Sequence, residues 1–191
     1  MEEEFNMQTQ SDEITGKLSG ILQQGYNPDS SKLCFPSAPI WKIAYLSIIS
    51  FGIYEIIYFY IMWKTLKNNF GYKVHAGARG LFACITNFWL FPILEKYFSA
   101  LGEKKFIGIL AACLYFIINF SSKLPDYYWL ISFGTIAFPV YIQIKLNRIN
   151  KNNFPDAPHN NWNTANTIWA ILLTPLFLLC VLSVIAEFSG K

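Results

Sequence analysis

Charged side chains are scarce in this sequence of 191 residues, at 14% of the chain, whereas an ordinary soluble domain carries about 25%. Apolar side chains make up 53% of the sequence and aromatic ones 18%, so a soluble protein of this composition could not cover its surface with polar groups. The 15 Lys and Arg residues form no basic stripe, which excludes the usual footprint of nucleic-acid binding. The composition predicts a protein that has the lipid bilayer as a partner.

Motifs for metal binding and catalysis are also missing. The four cysteines form no CxxC pair, and Cys84, Cys113 and Cys180 lie inside apolar runs, as small packing residues do. His75 and His159 stand in polar stretches without an HExxH, GxSxG or phosphate-loop pattern. We therefore predict no catalytic residues, no metal site and no cofactor, in a protein that is not an enzyme.

The first 40 residues differ from the rest of the chain. They open on Met-Glu-Glu-Glu, which is not the basic start of a secretory signal, so the first apolar run is expected to stay in the mature protein. A short helix is expected around residues 14–22 and a Pro- and Ser-rich linker at residues 28–39. We predict an acidic, partly flexible extramembrane arm at residues 1–40 and a helical membrane domain at residues 41–191.

Five apolar segments follow the arm. They lie at residues 43–63, 80–94, 106–122, 127–144 and 168–186. The first would make about 31 Å of helix, close to the hydrocarbon thickness of a bilayer, whereas the second would make only about 22 Å. The pattern predicts an all-α, polytopic membrane protein with four or five transmembrane helices, in which segment 80–94 is the candidate re-entrant one.

Turn and helix-breaking residues refine this prediction. The Lys-Leu-Pro-Asp sequence at residues 123–126 leaves room only for a tight turn, so segments three and four are expected to form an antiparallel hairpin. Pro139 and Pro175 are expected to kink their helices. Asn163, before the last segment, is a candidate N-cap.

Basic residues at the segment ends bear on the topology. If all five segments cross, 8 of the Lys and Arg residues near the segment ends lie on one side of the membrane and 6 on the other, which indicates no orientation. If the second segment is re-entrant, 10 of them lie on one side and 4 on the other, which agrees better with the positive-inside rule. A third version also turns segment one back at residues 50–52 and gives 12 against 2, but it asks a full-length apolar run not to cross. We favour the second version.

One stretch resembles a known group of proteins. Residues 51–55 read Phe-Gly-Ile-Tyr-Glu and run into Tyr-Phe-Tyr at residues 58–60 and Trp-Lys at residues 63–64. This pattern resembles that of uncharacterised small bacterial polytopic inner-membrane proteins with a Phe-Gly-(Leu/Ile)-Tyr-Glu … Tyr-Trp-Phe-Tyr helix. The likeness continues at residues 79–83 and 124–130. It implies a compact helical fold in a bacterial inner membrane and assigns no activity.

Polar residues within the apolar segments are the candidate binding residues. Glu55 lies in the middle of segment one, where a carboxylate costs about 2.5–3.5 kcal/mol and must be neutral, paired or in a wet interior. It could contact an ion, a proton or a substrate, or it could form an interhelical hydrogen bond to Asn87, Gln143 or a Tyr hydroxyl. Asn87 and Gln143 are the other binding candidates.

A short basic stretch after segment four is the candidate lipid contact. Lys145, Arg148 and Lys151 alternate with apolar residues and are expected to meet anionic headgroups.

Two functions remain open at this point. The first is a non-enzymatic accessory, assembly or interaction subunit that binds another membrane protein or a second copy of itself. The alternative is a small oligomeric channel or transporter that uses Glu55 and Asn87. A membrane-embedded enzyme has the least support, because no catalytic set is present.

The favoured topology makes a direct prediction. If segment two does not cross the membrane, single cysteines at Lys73 and Ser99 in a cysteine-free background will be equally accessible, or equally shielded, when intact cells are treated with an impermeant reagent. Labelling of one position and not the other, as expected for opposite sides, would contradict this topology.

Overall fold

The computed structural model describes residues 12–23, 26, 32–103, 105–123 and 126–189. The described part of the chain is all-helical, with 76% of its residues in helices, which confirms the predicted class. Within the described ranges no β-strand occurs, and Ser37 and His159 form an isolated bridge. The helices are residues 12–18, α1 (Ile40–Ile49), α2 (Ile53–Asn69), α3 (Ala76–Leu81), α4 (Ala83–Ala100), α5 (Gly108–Phe120), α6 (Ala137–Asn153) and α7 (Thr164–Ser189), with 3₁₀ turns at Ser121–Lys123 and Asp126–Ile136.

Apolar segment one is not the continuous helix that its length suggested. The chain breaks between α1 and α2, where Phe51 has a φ of 50° and Gly52 a φ of 85°. The chain before the segment and the chain after it then meet, because the side-chain amide of Asn69 donates to the carbonyl of Cys34 over 3.0 Å. A continuous helix over residues 40–69 would hold its ends about 44 Å apart, and the six steps from Cys34 to Ile40 could span only about 20 Å of that distance. The segment therefore turns back on itself, and the expectation of a single crossing helix is wrong.

Segment two also differs from its predicted bounds. The chain bends at Phe82, between the short α3 and the 18-residue α4, which continues past Leu94 to Ala100. It continues because Tyr97 and Phe98 in its last turns are buried. α3 packs closely on α2, where an added Cβ at Gly80 would lie 2.7 Å from the Cβ of Tyr60.

Segments three and four form the predicted antiparallel hairpin. Residues later in α5 pair with residues earlier in the returning chain, as an antiparallel arrangement requires. Ile118 faces Gly134, and the ring of Tyr115 lies 5.5 Å from that of Phe138. Nearer the other end, the ring of Phe106 lies 6.2 Å from that of Tyr141. The returning chain is a 3₁₀ helix as far as Ile136 and becomes α-helical only at Ala137.

Pro139 occupies the first turn of α6, where backbone N–H groups need no helical partner. The predicted kink is therefore replaced by a helix start. α7 runs on through Pro175, and the predicted N-cap is present, because the Asn163 side chain accepts the N–H of Asn166 at 3.0 Å.

The stretch expected to be a linker is partly core. Leu33, Cys34 and Phe35 are buried, and the Phe35 ring packs against those of Phe70 and Tyr97, with centroids 5.4 and 5.0 Å away. We call this end of the bundle the base. Residues 12–18 form the predicted short helix, whose apolar residues belong to the same core. Residues 1–11 lie outside the described residues, so a flexible arm there stays a prediction.

The C-terminal helix α7 is the most exposed element. It packs against α1 and the turn that follows it. The hydroxyls of Tyr45 and Thr174 are 2.8 Å apart, and the ring centroids of Phe51 and Phe177 are 5.5 Å apart. Its stretch Thr164–Ser183 is long and apolar enough to cross a membrane, and only 6% of that stretch is buried. By length and composition it is the one such helix in the part of the chain that the structure describes.

Two glycines of α3 provide a test of the packing. Gly80 abuts the backbone of Tyr60, with atoms 2.8–2.9 Å from an added Cβ, whereas nothing lies within 4 Å of one at Gly77. Gly80→Ala should destabilise the protein by about 1–3 kcal/mol through overpacking, and Gly77→Ala should be neutral or stabilising by about 0.5–1 kcal/mol. Thermal unfolding in one detergent measures both, and equal effects would contradict the close α2–α3 contact.

Candidate functional site

Glu55 lies at the start of α2, directly after the chain reversal. The Ser50 hydroxyl accepts the N–H of Tyr54 at 2.9 Å and so helps to begin the helix. This turn directs the Glu55 side chain inward, where it is 3% exposed. Its Oε2 accepts the hydroxyl of Tyr115 at 2.9 Å, and its Oε1 lies 2.8 Å from the hydroxyl of Thr135. Three separate elements therefore meet at one carboxyl group.

A cavity of about 500 Å³ adjoins this carboxyl group. All three chain reversals contribute to its wall, through Gly52, Leu81 and Ser122. We call this end of the bundle the tip. The remaining lining residues are Phe51, Ile53, Glu55, Ile56, Ala83, Cys84, Tyr115, Asn119, Ser132, Phe133, Thr135 and Ile136. No Lys, Arg or His belongs to the lining that these described residues form, so Glu55 meets hydroxyl groups and no cation.

Asn87 is not part of this constellation. It is fully buried in α4, and neither atom of its side-chain amide has a hydrogen-bond partner. It lies one helical turn beyond Ala83 and Cys84, which line the cavity. The suggested hydrogen bond between Glu55 and Asn87 is therefore absent. A Tyr hydroxyl was also a suggested partner of Glu55, and the hydroxyl of Tyr115 forms that bond.

Gln143 belongs to a different cluster. Its amide donates to the carbonyl of Pro36 at 3.1 Å and to Oδ1 of Asn147 at 2.8 Å. Asn147 in turn binds the backbone of Ala38, and Asn150 donates to the carbonyl of Phe35 at 2.7 Å. These α6 amides hold the chain before α1 on the base of the bundle. Gln143 thus bonds to other partners than Glu55 does, and the structure does not unite the three binding candidates.

Lys145 does not face solvent or headgroups. Its ammonium lies 3.4 Å from a carboxylate oxygen of Glu103, and the two side chains are 5% and 8% exposed. An isolated buried charge would be costly, so this ion pair explains why Lys145 points inward. The expected headgroup contact is therefore wrong for Lys145. Arg148, which shares Glu103 at 3.5 Å, and Lys151 are exposed, so a headgroup contact stays a prediction for those two.

Thr135 was missed as a partner of Glu55, and Tyr115 was not singled out among the Tyr hydroxyls that were considered. Each stands in an otherwise apolar stretch, Tyr115 in Cys-Leu-Tyr-Phe and Thr135 in Phe-Gly-Thr-Ile. A hydroxyl surrounded by apolar residues is a weak signal, because aromatic and Thr residues are common in membrane helices. The cluster of α6 amides that holds the chain before α1 was also missed. The sequence did contain a sign of this cluster, because Asn147 and Asn150 are three residues apart and so share one face of α6.

Metal-binding geometry is not present in the part of the chain that the structure describes, where no three His, Cys, Asp or Glu side chains come close enough to hold an ion. Cys34 is the most deeply buried thiol, and burial raises its pKa to about 11. A thiol that stays protonated at neutral pH is a poor nucleophile and a poor ligand.

Comparisons with known proteins add no assignment, since no family model, no curated protein and no solved structure matches this chain.

The two buried polar groups Glu55 and Asn87 should respond oppositely to an apolar replacement. Glu55→Leu strands the Tyr115 hydroxyl and should cost about 1–3 kcal/mol, or nearer 0.6 kcal/mol if the bond is typical of membrane helices. Glu55→Gln keeps a donor and an acceptor and should be tolerated. Asn87→Leu removes an amide that has no partner, so the protein should keep or gain stability.

Thermal unfolding of wild type and the three variants in one detergent measures these effects. If Glu55→Gln is as damaging as Glu55→Leu, the ionisable carboxyl itself is needed. A large loss in Asn87→Leu would show that Asn87 has a partner, such as a buried water.

Proposed function

We propose that this chain is a multi-pass protein of a bacterial inner membrane that acts by binding other molecules and not by catalysis. The observation that carries the membrane assignment is α7, since an apolar helix of this length with only 6% of its residues buried requires lipid or a partner around it. The resemblance of residues 51–64 to bacterial inner-membrane proteins supports the compartment.

The chain reversals support a particular mode of insertion. α1 has 10 residues and spans about 15 Å, half of the hydrocarbon thickness. We therefore propose that α1–α2 and α3–α4 enter from the base side and return, while α5, the returning chain that ends in α6, and α7 each cross. This is the third topology above, with 12 basic residues on the base side and 2 on the other. The positive-inside rule then places the base in the cytoplasm.

The exposed apolar surface supports a role as an accessory or interaction subunit. Leu172, Leu176 and Leu179 follow one another along α7, and each is more than half exposed. Ile117 on α5 is also exposed. Such surfaces suit either lipid or another membrane helix. Purification in a mild detergent should recover a complex, either with a membrane-protein partner or between copies of this chain, whereas a monodisperse monomer would argue against this role.

A second role is supported by the Glu55 cavity. A buried carboxyl group beside a cavity within a membrane protein is a default candidate for a ligand or ion path, and a volume of about 500 Å³ falls in the range of small-molecule sites. We propose ligand binding or transport at Glu55 as the alternative function. Asn87 does not line the cavity, so this alternative no longer includes Asn87.

The proposed insertion predicts on which side each end of α7 lies. A reporter pair fused after Lys191, alkaline phosphatase in one fusion and a green fluorescent protein in the other, should give an active phosphatase and a dark fluorophore. Cysteines at Lys67 and Lys151, both on the base side, should be shielded from an impermeant reagent in intact cells. A fluorescent C-terminal fusion would mean that α7 returns to the side on which it began.

A further inference from the structure

Hydrogen-bond counting assigns a proton to Glu55. Three short oxygen–oxygen distances form a chain, with Tyr115 to Glu55 at 2.9 Å, Glu55 to Thr135 at 2.8 Å and Thr135 to the carbonyl of Ser132 at 2.8 Å. An ionised carboxylate leaves two hydroxyl protons for these three contacts, because a Thr hydroxyl has one proton and a carbonyl has none. A protonated carboxyl supplies the third. Glu55 then donates to Thr135, Thr135 donates to Ser132, and every contact is a complete hydrogen bond.

The groups that surround Glu55 are consistent with a protonated carboxyl group when no ligand is bound. Tyr115 faces it from α5 and Thr135 from the 3₁₀ segment, Cys84 shares the cavity wall from α4, and Tyr54 and Tyr58 are its neighbours on α2. None of these five supplies a positive charge. Glu55 nevertheless lies in the first turn of α2, where the helix dipole favours a negative charge. The carboxyl group can therefore ionise when a cation is present to balance it.

The cavity favours an organic cation over a bare metal ion. Both Glu55 oxygens are already hydrogen-bonded, and its volume of about 500 Å³ is far larger than one ion needs. The aromatic side chains Phe51, Phe133 and Tyr115 belong to the lining, together with Asn119. Aromatic rings beside one carboxylate are surroundings in which a substituted ammonium group is attracted to the ring faces.

We propose that the Glu55 cavity binds a small organic ammonium ion in exchange for the proton of Glu55. The O–H bond of the carboxyl group breaks, the proton passes to water through the cavity, which is not fully enclosed, and the carboxylate forms an ion pair with the ammonium. One positive charge enters and one leaves. This inference rests on the ligand-binding role proposed above and specifies its substrate class.

Proton release on binding tests this exchange. The probe is benzyltrimethylammonium, which carries a permanent charge and no exchangeable proton, and its neutral isostere is neopentylbenzene. With full-length protein in weakly buffered detergent and an indicator dye, the cation should release up to one proton per chain, and the isostere none. Apparent affinity for the cation should rise about tenfold per pH unit while Glu55 is protonated, because ligand and proton compete.

Variants localise the effect. Glu55→Gln should bind the cation at least about tenfold more weakly and release no proton. Glu13→Gln makes the same change at an exposed carboxylate that pairs with Lys17 at 2.7 Å, so it should behave as wild type. Equal binding of cation and isostere without proton release would overturn the exchange and leave ligand binding intact. Failure of both probes to bind would overturn the inference, and the reporter fusions on α7 would still test the membrane assignment separately.

A second measurement needs no variant. Dicyclohexylcarbodiimide adds the O–H of a protonated carboxyl across one of its C=N bonds, and the adduct rearranges to a stable N-acylurea. Wild-type protein at neutral pH should gain the mass of one carbodiimide on the peptide that contains Glu55, and saturating benzyltrimethylammonium should reduce this labelling at least tenfold. Absence of labelling at Glu55, or labelling that the cation does not reduce, would overturn the proposal.

Discussion

The reversal of the chain at Phe51 and Gly52 is the constraint on which the rest of the structure depends. Gly52 has a φ of 85°, which costs a glycine nothing and any residue with a Cβ a steric penalty. Phe51 also adopts a positive φ, of 50°, which is rare for a bulky side chain and is retained only where the surroundings enforce it. The ring of Phe51 contacts the rings of Phe133 and Phe177, and these contacts hold Phe51 in this conformation.

The reversal determines where Glu55 lies. In a continuous helix this carboxyl group would stand halfway along a crossing segment. After the break it occupies the first turn of a new helix, beside the other two reversals of the chain. There the hydroxyls of Tyr115 and Thr135 converge on it, and a cavity opens next to them. The same turn brings Cys34 and Asn69 together at the base, so one local feature organises both ends of the bundle.

The sequence predicted the helical class, the short N-terminal helix, the α5–α6 hairpin and the N-cap at Asn163, because each follows from local signals of period, turn chemistry and capping. It identified Glu55 as the residue that needs an explanation, since a carboxyl group in an apolar run is costly wherever it lies. The version that turns segment one back at residues 50–52 was considered and not favoured, because an apolar run of 21 residues favours a crossing helix and a single glycine is tolerated in such helices.

Long-range contacts could not be derived from local patterns. Lys145 has the spacing of an interfacial residue, and only the position of Glu103, 42 residues away, shows that it is buried. The burial of residues 33–35 likewise depends on Phe70 and Tyr97, which lie far away in the sequence. Charge counting agrees with the break that the structure shows, since the version that turned segment one back at residues 50–52 had the most asymmetric distribution of basic residues.

The distance between Lys32 and Lys67 tests the reversal most directly. Spin labels at these two positions, in a cysteine-free variant reconstituted in lipid, give this distance by pulsed electron paramagnetic resonance. The account predicts about 10–25 Å, because each label is only a few residues from the Cys34–Asn69 contact. A distance of about 40 Å or more, as a continuous helix through residues 40–67 would give, would contradict it.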